Sequence, residues 1–387
     1  MPVVLGIAAW HIWLYYINTE FLRNIKWVLL DIQLPREIRR SPLAMELVLT
    51  ALHQTGGTST WYDRYWLGRL RQYFSLEIVS IEGAVHFLIR SPIQFKNLVE
   101  SYVYAQYPEA EIKEVPDYVE RVAYANDGRW SMWGTEFVLT KPDPYPIKTY
   151  VDYGVDKNVK EEEKIDPITS MIELMGSMQK GEQMWIQILA RASVKDAKTW
   201  VKEAQEEIKK FKEEALKKAG GKVEEGFQDT KLTKGERDVI AAIERHSEKV
   251  AFDIGIRAIY IAEKQAFNGP NIPALVNILK QYNSNTLNGF RPARATAVNF
   301  PWEEYVGFDG FIPYVNFGLK TTEQMKLKLF DLYRSRGYFY GSYRRDPFVL
   351  TTEELATLYH FPGRVSQTPS FGRIESKKAE PPVNLPI

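Results

Sequence analysis

Hydrophobic and polar positions divide the chain into short alternating runs and longer runs with a helical repeat. "IKWVLLDIQLP" alternates enough to predict a strand, and "SPLAMELVLTALHQT" predicts a helix with Ser41 as N-cap, Pro42 at its first position and Gly56 and Gly57 beyond its end. "FSLEIVSIEGAVHFLIRS" predicts a hairpin turning at Glu82 and Gly83, with Leu76 and Ile78 on one face and Glu77, Val79 and Ile81 on the other. His86 falls in the return strand and reads as a sheet residue with a local partner. In "SPIQFKNLVESYVYAQYPEAEIKEV", Phe95, Leu98, Val99, Tyr102 and Val103 share one helical face, and a short strand follows. "TEFVLTKP" and "YPIKTYVDY" predict further strands, interrupted by the prolines between 142 and 146.

A similar order starts again near Asp166. "DPITSMIELMGSMQKGE" predicts a helix and "QMWIQILARAS" an alternating strand. A long charged helix follows, with Trp200, Ala204, Ile208, Phe211 and Ala215 as its apolar stripe, Glu206/Lys210, Glu213/Lys217 and Glu214/Lys218 as exposed pairs, and Gly220 and Gly221 closing it. "LTKGERDVIAAIERHSEK" predicts an amphipathic helix, "VAFDIGIRAIYIAEK" a long strand and "NIPALVNILKQYN" a helix. The pattern predicts an α+β fold of two weakly similar ferredoxin-like units, at 26–160 and 161–300, then a basic and aromatic closing segment at 301–360 and an extended Pro-rich tail at 361–387. The similarity lies in element order, not in repeated residues.

The N-terminal run "VVLGIAAWHIWLYYI" has His11 as its one strongly polar residue. It suggests a single-pass membrane anchor at 1–25, with Val3 and Leu5 in the apolar part and Trp10, Trp13 and Tyr16 as interfacial aromatics. Arg23, Lys26, Arg36, Arg39 and Arg40 follow it, so the positive-inside rule places the main body in the cytoplasm.

Composition narrows the chemistry. A formal net charge of +1 gives no global attraction to nucleic acid, so any such role rests on a local patch. With no cysteine, disulfides, thiolate zinc sites and cysteine nucleophiles are excluded. The five histidines form no HxxxH or HExxH pair. There is no GxxxxGK[ST], GxSxG or GxGxxG, and "GFDGF" at 307–311 reads as a turn, so the sequence predicts neither an enzyme nor a cofactor. One patch interleaves cations with rings, at 320–345. Its candidates for contact with single-stranded DNA are Lys326, Lys328, Arg334, Arg336, Tyr338, Tyr340, Arg344 and Arg345. The same composition also describes a helix and strand covering a sheet.

"FVLTTEELATLYHFPG", followed by "ESKKAEPPVNLP", resembles the junction before the motor in bacterial type IV secretion and conjugative DNA-transfer ATPases of the HerA–FtsK class. "PREIRRSPLAMELVLTALHQT", "YFSLEIVSIEGAVHFLIR", "AQYPEAEI" and "DPYPIKTYVDYG" resemble the amino-terminal region of the same proteins. The resemblance implies a non-catalytic, membrane-anchored module that tethers or docks a separate motor ATPase. Glu354, His360, Phe361, Pro381, Pro382 and Leu385 are its docking candidates. The matching region carries no motor residues to transfer. A self-assembling, membrane-associated homo-oligomer is the alternative expectation.

Overall fold

The computed structural model of the chain describes residues 2–34, 40–54, 60–124, 128–155, 166–195, 197–218, 232–296, 322–341 and 344–362. The elements, in chain order, begin with α1 (Pro2–Asn24), β1 (Trp27–Gln33), α2 (Pro42–Ala51), α3 (Trp61–Tyr65), β2 (Tyr73–Ile81), β3 (Ala84–Pro92), α4 (Lys96–Gln106) and β4 (Glu111–Glu114). They continue with β5 (Trp130–Leu139), α5 (Ile168–Gly176), β6 (Glu182–Ala192), α6 (Ala197–Lys218), α7 (Lys234–Ser247), β7 (Ala251–Glu263), α8 (Asn271–Val276) and β8 (Phe290–Ala293). The last described elements are α9 (Thr322–Ser335), β9 (Phe348–Thr351) and α10 (Thr352–Leu358).

The fold is α+β, built on one antiparallel sheet in the order β4-β1-β3-β2-β6-β7-β5-β8, with β9 paired to the start of β7 beyond the end of β5. Each half of this sheet has the same logic. β1, α2, β2, β3, α4 and β4 give the spatial order fourth, first, third, second. β5, α5, β6, β7, α8 and β8 give that order again, with α6 and α7 inserted between the second and third strands. The halves join where β2 lies against β6, from Tyr73 opposite Arg191 to Ile81 opposite Gln183.

The pairing places β5 with β7 and β8, on the side of the second half, whereas sequence position groups it with 26–160. "YPIKTYVDY" is not a strand. Its backbone donors go elsewhere: Ile147 N to Glu354 Oε1 at 2.9 Å, Tyr150 N to the Thr357 hydroxyl at 3.0 Å and Lys148 N to the Tyr282 carbonyl at 3.0 Å. The hairpin turns at Glu82 (φ 53°) and Gly83 (φ 86°), the left-handed pair that a two-residue connection requires. His86 does have a local partner, Asp31, at 3.2 Å.

One face of the sheet meets α2, α4, α5, α8 and α10 through a continuous core that includes Met45, Val48, Val99, Val103, Met171, Ile172, Leu275 and Leu355. The opposite face is covered at its centre by α9, where Trp185 packs with Phe330, Tyr333 and Tyr118. The α6 stripe turns inward as its spacing predicts: Ala204 and Ala215 are buried and Ile208 and Phe211 half-buried against Val239, Ile240 and Ile243 of α7, and Trp200 is buried beside His246. Lys210, however, pairs with Glu207 at 2.6 Å rather than with Glu206, which faces Lys202. The side chains at 217 and 218, and Gly220 and Gly221, lie outside the described residues, as do 307–311. Both sheet edges are short: β4 is Glu-Ile-Lys-Glu and β8 carries Pro292 beside Arg291, features that discourage edge-to-edge addition.

Candidate interaction surface

α1 is fastened at one end and bare at the other. Trp13 Nε1 donates to the Tyr65 carbonyl at 2.9 Å, and its ring lies 5.5 Å from that of Trp66. Ile17 is the helix's one buried residue. Gly68, at φ +61°, is what lets this backbone come so close: a Cβ there would sit 2.5 Å from the carbonyl carbon of Ile17. Toward the N-terminus the helix is mostly uncovered, although the Trp10 ring lies 5.7 Å from that of Tyr65. Val3 is 73% exposed and Ile12 68%, and Leu5, Ile7, Trp10 and Tyr16 are also exposed. Beside them α3 presents Trp61, 66% exposed, and Tyr62, with Trp66 just past its end. Clustered exposed rings of this kind favour a boundary that is apolar on one side and wet on the other.

The expected single-pass anchor is not supported. Among the described residues no helix is long and apolar enough to cross a membrane. Twenty-three residues of helix reach about 34 Å. The shortfall is in apolarity: His11 interrupts the run, and Asn18, Thr19 and Glu20 follow four rings.

The basic and aromatic segment is largely turned inward. Arg336, at φ 52° just past α9, carries its guanidinium onto the sheet. There it bonds both oxygens of Glu77 at 3.0 Å and reaches Asp117. Burial alone would push the Glu77 carboxyl up, but the Arg336 guanidinium beside it holds it down at about 2. Tyr338 is buried over Gly255, where its ring would lie 2.4 Å from an added Cβ. The Tyr340 hydroxyl donates to the Arg71 carbonyl at 2.6 Å. Arg336 and Tyr338 therefore cover the sheet and present no surface to nucleic acid. Lys328, Arg334 and Arg344 are exposed, Arg334 pairing with Asp331 at 2.7 Å, and Lys326 and Arg345 are half-buried.

The cover rests on a polar row that strand register places across the sheet: Glu77 opposite Gln187, Gln187 opposite Arg257, Arg257 opposite Glu136. Arg257 Nε donates to Glu136 at 3.0 Å, and its other nitrogens reach the Leu332 and Gly337 carbonyls at 3.1 and 2.7 Å. No local pattern reveals this row, because each member reads singly as the polar position of an alternating strand.

The docking candidates Glu354, His360 and Phe361 are buried, which corrects their assignment to a partner surface. Glu354 takes the backbone N–H groups of Ile147 and Thr351 and lies 3.2 Å from His246 Nδ1. Burial pushes its carboxyl up to about 8 and pushes the His246 imidazole down to about 3, so both are neutral near pH 7. His360 bridges the Ala356 carbonyl and Asp166, at 2.8 and 2.9 Å, and Phe361 stacks edge-on against Phe87 and Tyr107. Pro381, Pro382 and Leu385 lie outside the described residues. No group of metal-binding side chains occurs among the described residues.

The family described as Domain of unknown function (DUF8128) matches residues 18–373. The chain belongs to this family. No curated protein matches it. The matched span takes in the whole sheet and the inward-turned C-terminal cover, and it starts at Asn18, within α1.

Proposed function

We propose that this chain is a non-catalytic accessory module of a conjugation-type DNA-transfer or type IV secretion machine. In this role it lies against a membrane through α1 and α3 and holds a motor ATPase there. The observation that carries the reading is the bare aromatic end of α1, bolted to the body at Trp13 and Ile17 and flanked by Trp61, Tyr62 and Trp66. Such a helix suits lying in the interface plane, its rings among headgroups, without crossing the bilayer. The C-terminal junction supports the tethering role. β9, α10, Tyr359 and Phe361 are built into the core, so any load on the following residues bears on the sheet itself. The resemblance of "LTTEELATLYHFPG" and its sequel to the pre-motor junction of transfer ATPases supplies the partner. Self-assembly through sheet edges is less favoured, since both edges are short and carry charge or proline.

The test is a mild-detergent pull-down of the full chain from its native cells, with mass spectrometry of the co-purifying proteins. Recovery of a Walker-motif ATPase, abolished when residues after Pro362 are removed, is the expected result. A chain that stays in the soluble fraction and brings down no ATPase ends the reading. Large particles of this chain alone would move it to the homo-oligomer.

A further inference from the structure

Glu136 is outnumbered. Its Oε1 accepts from Arg257 Nε at 3.0 Å and its Oε2 from Arg294 Nη1 at 3.0 Å, while Arg345 Nε stands 3.5 Å from Oε2. Three guanidinium groups thus converge on one carboxylate. Arg257 is spent on Glu136, Gln187 and two backbone carbonyls and has no exposure. The surplus positive charge therefore rests on Arg294 and Arg345, whose side chains remain 45% and 20% exposed.

Two further observations mark this as more than a surface ion pair. Arg345 Nε is buried and, although it faces Glu136 as a charge, makes no hydrogen bond among the described residues. Arg294 holds left-handed backbone, at φ 52°, immediately after β8. Arg291 lies on the same sheet face as Glu136, paired two positions along, and is exposed, as is Arg344. Asp346 is the acid next in sequence, also exposed.

We propose that Arg294 and Arg345, set by Glu136 at the β5–β8 end of the sheet, form a binding site for a phosphate oxyanion. Glu136 holds Arg294 by a hydrogen bond and Arg345 by charge, and both side chains keep exposed surface, which suits forked recognition of phosphate oxygens by guanidinium groups. The site needs neither a membrane nor a motor ATPase. Its ligand is a nucleic-acid backbone phosphate or a free phosphate, which share this chemistry.

The experiment uses the full chain. Fluorescence anisotropy with a labelled single-stranded oligothymidylate, over a salt series, reads one source, and calorimetric titration with inorganic phosphate reads the other. Arg294→Ala and Arg345→Gln are each expected to weaken binding about tenfold. Together they should lower the salt slope with the oligonucleotide by about 1.4, at about 0.7 for each single-strand phosphate that is no longer neutralised. Lys113→Ala, an exposed lysine paired with Glu111 on β4 at the other end of the sheet, is expected to leave binding within about twofold of the parent. Thermal unfolding of each variant separates weakened binding from a damaged fold. If Arg345→Gln unfolds, the largely exposed Arg294 carries the test alone. Phosphate binding that the variants abolish, without oligonucleotide binding, assigns the site to small phosphates. The proposal is overturned if the parent binds neither, or if the double variant binds as the parent does.

Discussion

Arg336 grips Glu77 with two parallel hydrogen bonds, Nε to Oε1 and Nη2 to Oε2, each 3.0 Å, and neither side chain has any exposure. A buried charge that loses its partner is stranded in a poor solvent. Arg336→Ala is therefore expected to cost about 3–5 kcal/mol. Glu77→Gln with Arg336→Met, which removes both charges together, is expected to recover much of that loss. Urea denaturation measures both, and a double variant no more stable than Arg336→Ala would show that the packing of α9, not the ion pair, sets the stability.

Glu354 and His246 impose opposite pH dependences on stability. Glu354 is raised from 4.5 to about 8 by burial, so the folded state holds the extra proton and stability falls as pH rises through that interval. His246 is lowered from 6.5 to about 3, so the unfolded state holds the extra proton and stability falls as pH drops below 6.5. From 4.5 to 6.5 the two slopes cancel, leaving a plateau. Above it the pair contributes a decline approaching about 1.4 kcal/mol per pH unit. Glu354→Gln should flatten the decline between pH 6.5 and 8, read from denaturation midpoints. An unchanged slope would place the titration elsewhere.

Gly68 controls how α1 sits. Since a Cβ would lie 2.5 Å from Ile17 backbone and the residue has φ +61°, Gly68→Ala should loosen the helix while leaving the sheet intact. The expected readout is a red shift and faster quenching of tryptophan fluorescence, with little change in the main unfolding transition. A cooperative loss of the whole fold would mean that α1 is integral to the core.

Replacing Trp10 and Trp61 together with serine tests the apolar surface. Each ring carries apolar area worth about 1.5–3 kcal/mol when fully buried, so flotation with anionic vesicles should fall by more than tenfold. Equal flotation of parent and variant would remove α1 and α3 as the membrane-facing elements.

Much of the fold could be read from pattern, because alternation and helical stripes record burial residue by residue. The β2–β3 turn, the partnered His86 and the α6 stripe are of this kind. What could not be read depends on register between distant strands. Arg336 meets Glu77 across 259 residues, and no local pattern says which acid an arginine in "RSRGYFYG" will find. The buried Glu354 was hidden for the same reason: "TTEELA" reads as an exposed helix start until the 147–150 backbone is laid over it. The apolar surface of α1 is legible in the sequence, but the run by itself does not show that the helix falls short of the apolarity needed to cross a bilayer.

The joining of the two halves through β2 and β6 matters before the protein is finished. On the ribosome the first half can close its own four strands once β4 has emerged, yet β2 keeps an open edge, "YFSLEIVSI", until residue 192 is made. At about 5–20 residues per second that wait is on the order of ten seconds. β2 and β6 hold equivalent places in their halves, so the β2 of a neighbouring nascent chain can imitate the missing strand. Crowded synthesis on one messenger should therefore yield dimers in which two first halves share a sheet and the β6 edge of each second half is left without its β2 partner.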